Sequence, residues 1–124
     1  MLPEKLAICQ LAVGSRVPEW AGGNQLFSWT QTADELSIVC EESRLPADAL
    51  ADIRIERDWI GLKLQGPFPF ELTGVLSAFI QPLAEAAIPI FSLSTFNTDF
   101  VLIKREKLEA ALAALQAAGH QKME

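Results

Sequence analysis

The chain has 124 residues, of which half are hydrophobic and about a fifth are charged, and its net charge is -6. This is a globular composition, and the length suffices for one ordinary domain or for two very small ones that share a core. The negative charge repels phosphate backbones and no apolar run reaches the ~18 residues that cross a bilayer, so the sequence argues against nucleic acid and membranes as partners.

The first half of the chain predicts four strands and no long helix. Residues 6–13 are almost all apolar, as in a buried strand, and a segment rich in turn-forming residues follows them. Apolar and polar side chains alternate over 27–31 and over 36–41, which predicts a hairpin. Residues 43–50 allow a short helix. The alternation then resumes over 53–65, in a long strand with a possible bend near Arg57 and Asp58.

The second half begins with a change to the period of a helix. Apolar residues recur at helical spacing over 72–87, which predicts one amphipathic helix. Pro82 lies inside this stretch. Because proline removes a backbone hydrogen bond, we expect it to bend or divide the helix.

Two more strands and a last helix complete the second half. Residues 88–93 and 100–103 are apolar enough for strands, and the polar segment 96–99 predicts a turn between them. Apolar side chains over 108–118 then predict a helix that ends at Gly119, since glycine favours the residue after a helix.

Both halves follow the β-α-β-β-α-β order of ferredoxin-like domains. The predicted fold class is therefore α+β, with two ferredoxin-like units in tandem whose antiparallel sheets carry helices on one face. We place the units at residues 1–57 and 58–124. Neither unit would bury enough apolar surface alone, so we expect them to fold together.

The sequence offers no catalytic apparatus and no metal site. The phosphate-binding pattern G-x-x-x-x-G-K-[ST] and the hydrolase pattern G-x-S-x-G are absent. His120 is the only histidine and follows the last predicted helix, which is typical of a surface residue. Cys9 and Cys40 have no motif spacing and are predicted to be buried free thiols. We therefore predict a protein that is not an enzyme and needs no cofactor or metal.

The residues from Glu71 to Leu76, preceded by Gly66 and Pro67, resemble the ACT domain family, as do residues 82–90 and 94–103. The resemblance is strongest to small bacterial tandem-ACT proteins related to the arginine-sensing ACT proteins of animal cells. It covers residues 59–119 and is weaker in the first half. It implies a regulatory protein that binds a small-molecule amino acid and forms a homodimer. The N-terminus lacks a signal-peptide pattern, which favours a cytoplasmic location.

The ligand-binding residues implied by this resemblance are Glu71, Leu72, Thr73, Gly74, Ile90, Ser92, Asn97 and Asp99. The first four form the loop between strand and helix, where ACT domains hold their ligand at an interface. The next two belong to the strand that faces this loop. The last two lie in the second hairpin, where the arginine-sensing relatives hold the ligand with an acidic residue that Asp99 resembles.

Each polar candidate has a structural alternative. Gly74 would let a carboxylate reach the free amides of a helix start, or would only allow close packing of helix and sheet. Thr73 would bond that carboxylate or cap the helix. Asp99 would pair with a ligand ammonium or guanidinium group, or would stabilise the turn, which is the more common role for Asn97. The alternative function is a ligand-free ACT-like module for oligomerisation or protein interaction.

Overall fold

The computed structural model describes residues 1–47, 52–64 and 74–120. The described residues form six strands and two α-helices. The chain divides into two compact units, Leu2–Trp59 and Ile60–Glu124, the latter together with Met1. The strand pairs are antiparallel, so the predicted α+β class is confirmed.

The strands of the first unit have the order β2-β3-β1-β4. β1 (Leu6–Leu11) pairs with β3 (Leu36–Glu41) and with β4 (Arg54–Lys63), whose later residues belong to the second unit, and β2 (Ser28–Gln31) pairs with β3. Alternate residues of these strands point to one face, because the side-chain period of a strand is two. The buried core of the unit contains Ala7, Cys9, Leu11, Leu36, Ile38 and Cys40.

A bulge lies in β4 where the sequence predicted a bend. The register between β1 and β4 shifts between Leu6 and Ile8. Opposite this shift, Asp58 has a positive φ of 70°, and its amide donates a 2.7 Å hydrogen bond to Oε1 of Glu42. Lys5 lies 3.5 Å from the carboxylates of both residues. The bulge is therefore held from outside the strand by side chains near the ends of β1 and β3.

The chain after β3 forms a short 3₁₀ helix, Glu42–Arg44, and not the α-helix expected over 43–50. Leu45 is extended, with φ of -65° and ψ of 133°. Pro46 follows it, and the ring of a proline disfavours helical backbone in the residue before it. Residues 48–51 lie outside the described part of the chain.

The second unit has the strand order β4-β6-β5, with β6 (Asp99–Lys104) paired to β5 (Phe91–Ser94). Its helices are α1 (Val75–Glu85) and α2 (Leu108–Ala117). Among the described residues, neither helix is long and apolar enough to cross a membrane. The buried core contains Leu62, Leu64, Leu83, Ile88, Val101, Ile103, Ala111 and Leu115. The predicted apolar stripe of α1 is confirmed, since Val75, Leu76, Phe79 and Ile80 pack against this core.

Pro82 does not divide α1, which is continuous from Val75 to Glu85. Proline has no amide hydrogen, so the carbonyl of Ala78, one turn earlier, loses its helical donor. Nε2 of His120 lies 3.1 Å from that oxygen, and the His120 ring packs edge-on against Phe79 with centroids 5.3 Å apart. A carbonyl only accepts hydrogen bonds, so Nε2 carries the proton. His120, predicted as a surface residue, thus supplies the bond that Pro82 removes.

The two helices end in the same way. Gly119 follows α2 with φ of 96°, in the left-handed conformation predicted for it. Ala87 takes the same place after α1 with φ of 58°, and the next amide, of Ile88, donates to the carbonyl of Leu83 at 2.9 Å. The predicted helix over 72–87 therefore ends before Ala87. An alanine carries strain in this conformation, because its Cβ crowds the backbone.

Candidate ligand-binding site

α1 begins at Gly74, which has φ of 82°. This left-handed conformation favours glycine, since any Cβ is strained there. Among the described residues, none would lie within 4 Å of a Cβ built on Gly74, and residues 65–73 before it lie outside that part of the chain. The backbone conformation is a sufficient reason for a glycine here. The alternative role of Gly74, close packing of helix and sheet, stays a prediction.

The first turn of α1 presents backbone amides that the helix itself does not use. The first helical hydrogen bond runs from the amide of Ala78 to the carbonyl of Gly74, at 2.9 Å. The amides of Val75, Leu76 and Ser77 precede it and have no acceptor within the helix. The first turn contains no acidic residue, and within the described ranges no side chain caps it. Such a helix start carries partial positive charge and attracts a carboxylate.

Three residues of the candidate loop, Glu71, Leu72 and Thr73, lie outside the described residues. The alternative roles of Thr73, as helix cap or as ligand donor, therefore stay predictions. Gly74 is the described member of the loop, and the position of the site is argued from it.

The β5–β6 hairpin contains the second group of candidates. Its turn runs over residues 95–98. The amide of Thr95 donates to the carbonyl of Thr98 at 2.8 Å, and the amide of Thr98 donates to Oγ1 of Thr95 at 3.3 Å. Asn97 is exposed within this turn. Asp99 is already the first residue of β6, so the turn lies one residue earlier than the predicted 96–99.

Asp99 is half-buried where β6 starts. Its Oδ1 accepts a hydrogen bond from Oγ of Ser94 at 2.5 Å, and its backbone oxygen accepts one from the amide of Leu64 at 3.0 Å. The hydroxyl of Thr98 donates to the carbonyl of Leu64 at 2.5 Å. These bonds join the start of β6 to the end of β4, after which residues 65–73 connect to α1. Asp99 thus lies at the end of the sheet from which that connection leaves.

Ile90 and Ser92, predicted in the strand over 88–93, have different surroundings, and Ile90 lies just before β5, which begins at Phe91. Ser94 lies opposite Asp99 in the ladder, and Ser92 lies opposite Val101. Side chains at paired and alternate positions share a face, so both serines lie on the face of the sheet that buries Val101. Ser92 is exposed on that face, so its hydroxyl lies at the surface. Ile90 is half-buried and packs against the core. A carboxylate accepts several hydrogen bonds, so the bond from Ser94 leaves Asp99 able to bind a cation.

Two backbone amides of the first unit bind a carboxylate of the chain itself. The amides of Asn24 and Gln25 donate to Oε2 of Glu41, at 2.7 and 3.1 Å. Gly23 has φ of 142°, and a Cβ built on it would lie 2.6 Å from the same oxygen. This segment was predicted only to be rich in turn-forming residues. The adjacent glycines Gly22 and Gly23 were the available signal.

Cys9 and Cys40 are both buried, as predicted, and share a hydrogen bond. That bond, followed by burial, raises the pKa of the Cys40 thiol, whereas the bond from Cys40 lowers the pKa of the Cys9 thiol. Within residues 1–47, 52–64 and 74–120, no group of three or more His, Cys, Asp or Glu residues is placed to hold a metal ion.

Comparison with known families gives a match over each half of the chain. A family model described as an ACT domain matches residues 54–117. A second model, described as an N-terminal domain, matches residues 4–48.

Individual proteins are also similar. A crystal structure of an Agobacterium tumefaciens protein has 38% sequence identity and a TM-score of 0.86, over 97% of this chain and 87% of that chain. The human protein CASTOR3P is 30% identical over 94 residues, which are 68% of this chain and 57% of that protein. The bovine protein named cytosolic arginine sensor for mTORC1 subunit 1 is 26% identical over 99 residues, 73% of this chain and 30% of that protein. The chain thus spans less than two thirds of either curated relative.

Proposed function

The chain belongs to the ACT domain family, and on that premise we propose that it is a regulatory protein that binds a free amino acid and catalyses no reaction. The observation that carries this proposal is the start of α1. Gly74 takes a left-handed conformation beside three amides that the helix does not use, and no described residue would contact a Cβ placed on it. Every amino acid has a carboxylate that suits such a site. The name of the bovine relative, an arginine sensor, supports an amino acid as the class of ligand.

In the proposed binding mode, the two charged ends of the amino acid bind to different parts of the site. The amides of Val75, Leu76 and Ser77 receive the carboxylate. Asp99 receives the ammonium group or a cationic side chain, because its carboxylate lies at the end of the sheet that leads through residues 65–73 to α1. Charge-assisted hydrogen bonds of this kind are about twice as strong as neutral ones.

Secondary contacts complete the proposed site. Thr73 and Ser92 add hydroxyl groups, and Glu71, Leu72, Ile90 and Asn97 line its edges.

We also propose that the two halves, 1–57 and 58–124, are ferredoxin-like ACT units in tandem. Both described α-helices belong to the second unit, and the described part of the first has the 3₁₀ helix Glu42–Arg44 in place of the helices predicted for it. The hairpins support the tandem arrangement. Each has four paired positions and a turn that begins with a threonine, Thr32 or Thr95. The hydroxyl of each threonine accepts from the amide three residues later, at 3.2 and 3.3 Å. A 3₁₀ helix follows each second strand directly, Glu42–Arg44 in one unit and Arg105–Lys107 in the other.

The proposal includes a cytoplasmic homodimer. The word cytosolic in the name of the bovine relative supports the location. The edge strands β2 and β5 support pairing of two copies, since an edge strand offers unpaired backbone groups to another chain.

Two glycine variants test the proposed ligand site. Gly74→Ala and Gly119→Ala are matched, because φ is positive at both and a Cβ at either would meet no described residue within 4 Å. We expect each to lower the free energy of unfolding by about 0.5–1 kcal/mol, the strain of a left-handed alanine less the entropy that it removes from the unfolded chain. Only Gly74→Ala places a methyl group beside the amides of α1.

The measurement is thermal unfolding of the wild type and both variants with each amino acid. A ligand at 100 times its dissociation constant stabilises the wild type and Gly119→Ala by about 2.7 kcal/mol. Gly74→Ala binds at least tenfold more weakly and gains correspondingly less. If no amino acid at millimolar concentration stabilises the wild type, and its oligomer mass is unchanged, the ligand-free interaction module replaces this proposal. Equal ligand response in both variants would place the ligand elsewhere.

A further inference from the structure

Glu41 is the one charged side chain that is buried among the described residues, with 8% of its surface exposed. A buried carboxylate is costly unless hydrogen bonds replace its water. Two backbone amides, of Asn24 and Gln25, converge on its Oε2 atom at 2.7 and 3.1 Å. Successive amides that point at one anion form a concave binding site of the kind that proteins use for phosphates and carboxylates.

The loop is shaped around this carboxylate. We call residues 23–25 the carboxylate loop. Gly23 adopts a backbone conformation that side chains rarely allow, and a Cβ there would collide with the carboxylate of Glu41. A second anchor lies beside it, since Nε of Arg44 donates to the carbonyl of Trp20 at 3.1 Å. Glu41 at the end of β3 and Arg44 in the following 3₁₀ helix therefore hold the chain on both sides of Gly22 and Gly23.

We propose that the carboxylate loop is a binding site for a small carboxylate, and that the chain fills this site with its own Glu41. The covalent attachment of Glu41 gives it a high effective concentration, so a free carboxylate does not displace it. When the Glu41 side chain is removed, acetate or a similar small carboxylate binds to the same two amides.

The same place in the second unit has the opposite charge. Glu41 is the last residue of β3 and precedes a 3₁₀ helix, and Lys104 is the last residue of β6 and precedes another. An ammonium group only donates hydrogen bonds, so lysine cannot fill a carboxylate site. Lys104 therefore cannot play the part of Glu41 in the second unit. That the chain binds an amino acid at α1 rests on the proposed function, whereas the site of Glu41 does not.

Glu41→Ala tests the site by chemical rescue, with Glu35→Ala as the control. Glu35 belongs to the same hairpin, but its carboxylate accepts from Gln10, at 3.4 Å. In sodium chloride, Glu41→Ala unfolds about 5–10 °C below the wild type, because two partly buried hydrogen bonds lose their acceptor. In sodium acetate of equal ionic strength, several hundred millimolar, it recovers at least about 2 °C more than the wild type or the control. An equal effect of acetate on all three proteins overturns the proposal.

Glu41→Gln gives an independent test that does not require Glu41→Ala to fold. Glutamine keeps the shape of the glutamate side chain, but its neutral amide oxygen is a weaker hydrogen-bond acceptor than a carboxylate oxygen. The amides of Asn24 and Gln25 exchange with solvent about tenfold faster in this variant than in the wild type, while the amide of Asp34 is unchanged. Unchanged exchange at Asn24 and Gln25 contradicts the proposal.

Calorimetric titration of the wild type with an amino acid measures the number of ligands per chain. A second ligand bound at the amides of Asn24 and Gln25 would contradict the occupation of the carboxylate loop by Glu41. No binding would contradict the proposed function but leave the rescue result standing, so the two failures can be told apart.

Discussion

The pairing of Pro82 with His120 predicts an energetic coupling between two residues far apart in the sequence. His120→Ala removes the donor to the carbonyl of Ala78 and the edge contact with Phe79. A hydrogen bond contributes about 0.5–1.5 kcal/mol, with the low end appropriate at this exposed site, and an aromatic contact adds about 0.5 kcal/mol. We expect a loss of about 1 kcal/mol, which lowers Tm by about 4 °C in a chain of this length.

The loss of stability caused by His120→Ala should depend on whether residue 82 is proline or alanine. Pro82→Ala restores an amide that can donate to the carbonyl of Ala78, and it stabilises α1 by up to about 3 kcal/mol through helix propensity. In that background His120→Ala removes only the ring contact and costs about 0.5 kcal/mol. The difference, about 0.5 kcal/mol, is the coupling energy of the cycle.

Urea unfolding of the wild type, the two single variants and the double variant measures this coupling. His120→Phe keeps a ring without a donor, and in the native background it should lose the hydrogen-bond part of the stability alone. Equal costs of His120→Ala in both backgrounds would refute the reasoning, since His120 would then not replace the bond that Pro82 removes.

Two further predictions concern residues with positive φ. Ala87→Gly should raise the free energy of unfolding by about 0.5–1 kcal/mol, because Ala87 has the conformation after α1 that glycine has after α2, and a lower Tm would show that its methyl group packs usefully. Asp58→Gly should keep the stability within about 0.5 kcal/mol, while Asp58→Val should lose about 1–2 kcal/mol because a branched side chain resists the left-handed region. Thermal unfolding of both Asp58 variants checks this, and similar values for the two would contradict it.

Periodicity predicted the elements whose burial follows a local pattern. The alternation over 36–41 gave β3, and the helical spacing over 72–87 gave the apolar stripe of α1. These predictions succeed because one buried face sets the period of the sequence. The expected helix over 43–50 was wrong over residues 45–47, since the backbone restriction before Pro46 ends the turn first.

The features of the fold and of the candidate site that the sequence did not predict depend on contacts between distant residues. Pro82 was expected to bend or divide α1, and local sequence gave no sign that His120 would supply the missing hydrogen bond. The same holds for the candidate site. Gly74 was predictable as a helix start, because glycine is informative by itself. The bond from Ser94 to Asp99 and the closure of the loop on Glu41 depend on strand register and chain reversal, which residue spacing does not specify.

The central claim is that the amides at the start of α1, which the helix itself does not use, bind the carboxylate of an amino acid. Titration of the ¹⁵N-labelled protein with each amino acid, followed through backbone amide resonances, tests it most directly. The account predicts saturable shifts at Val75, Leu76 and Ser77, and none at Asn24 and Gln25, where Glu41 already binds. Shifts at Asn24 and Gln25 in place of α1, or no saturable shift with any amino acid at millimolar concentration, would contradict it.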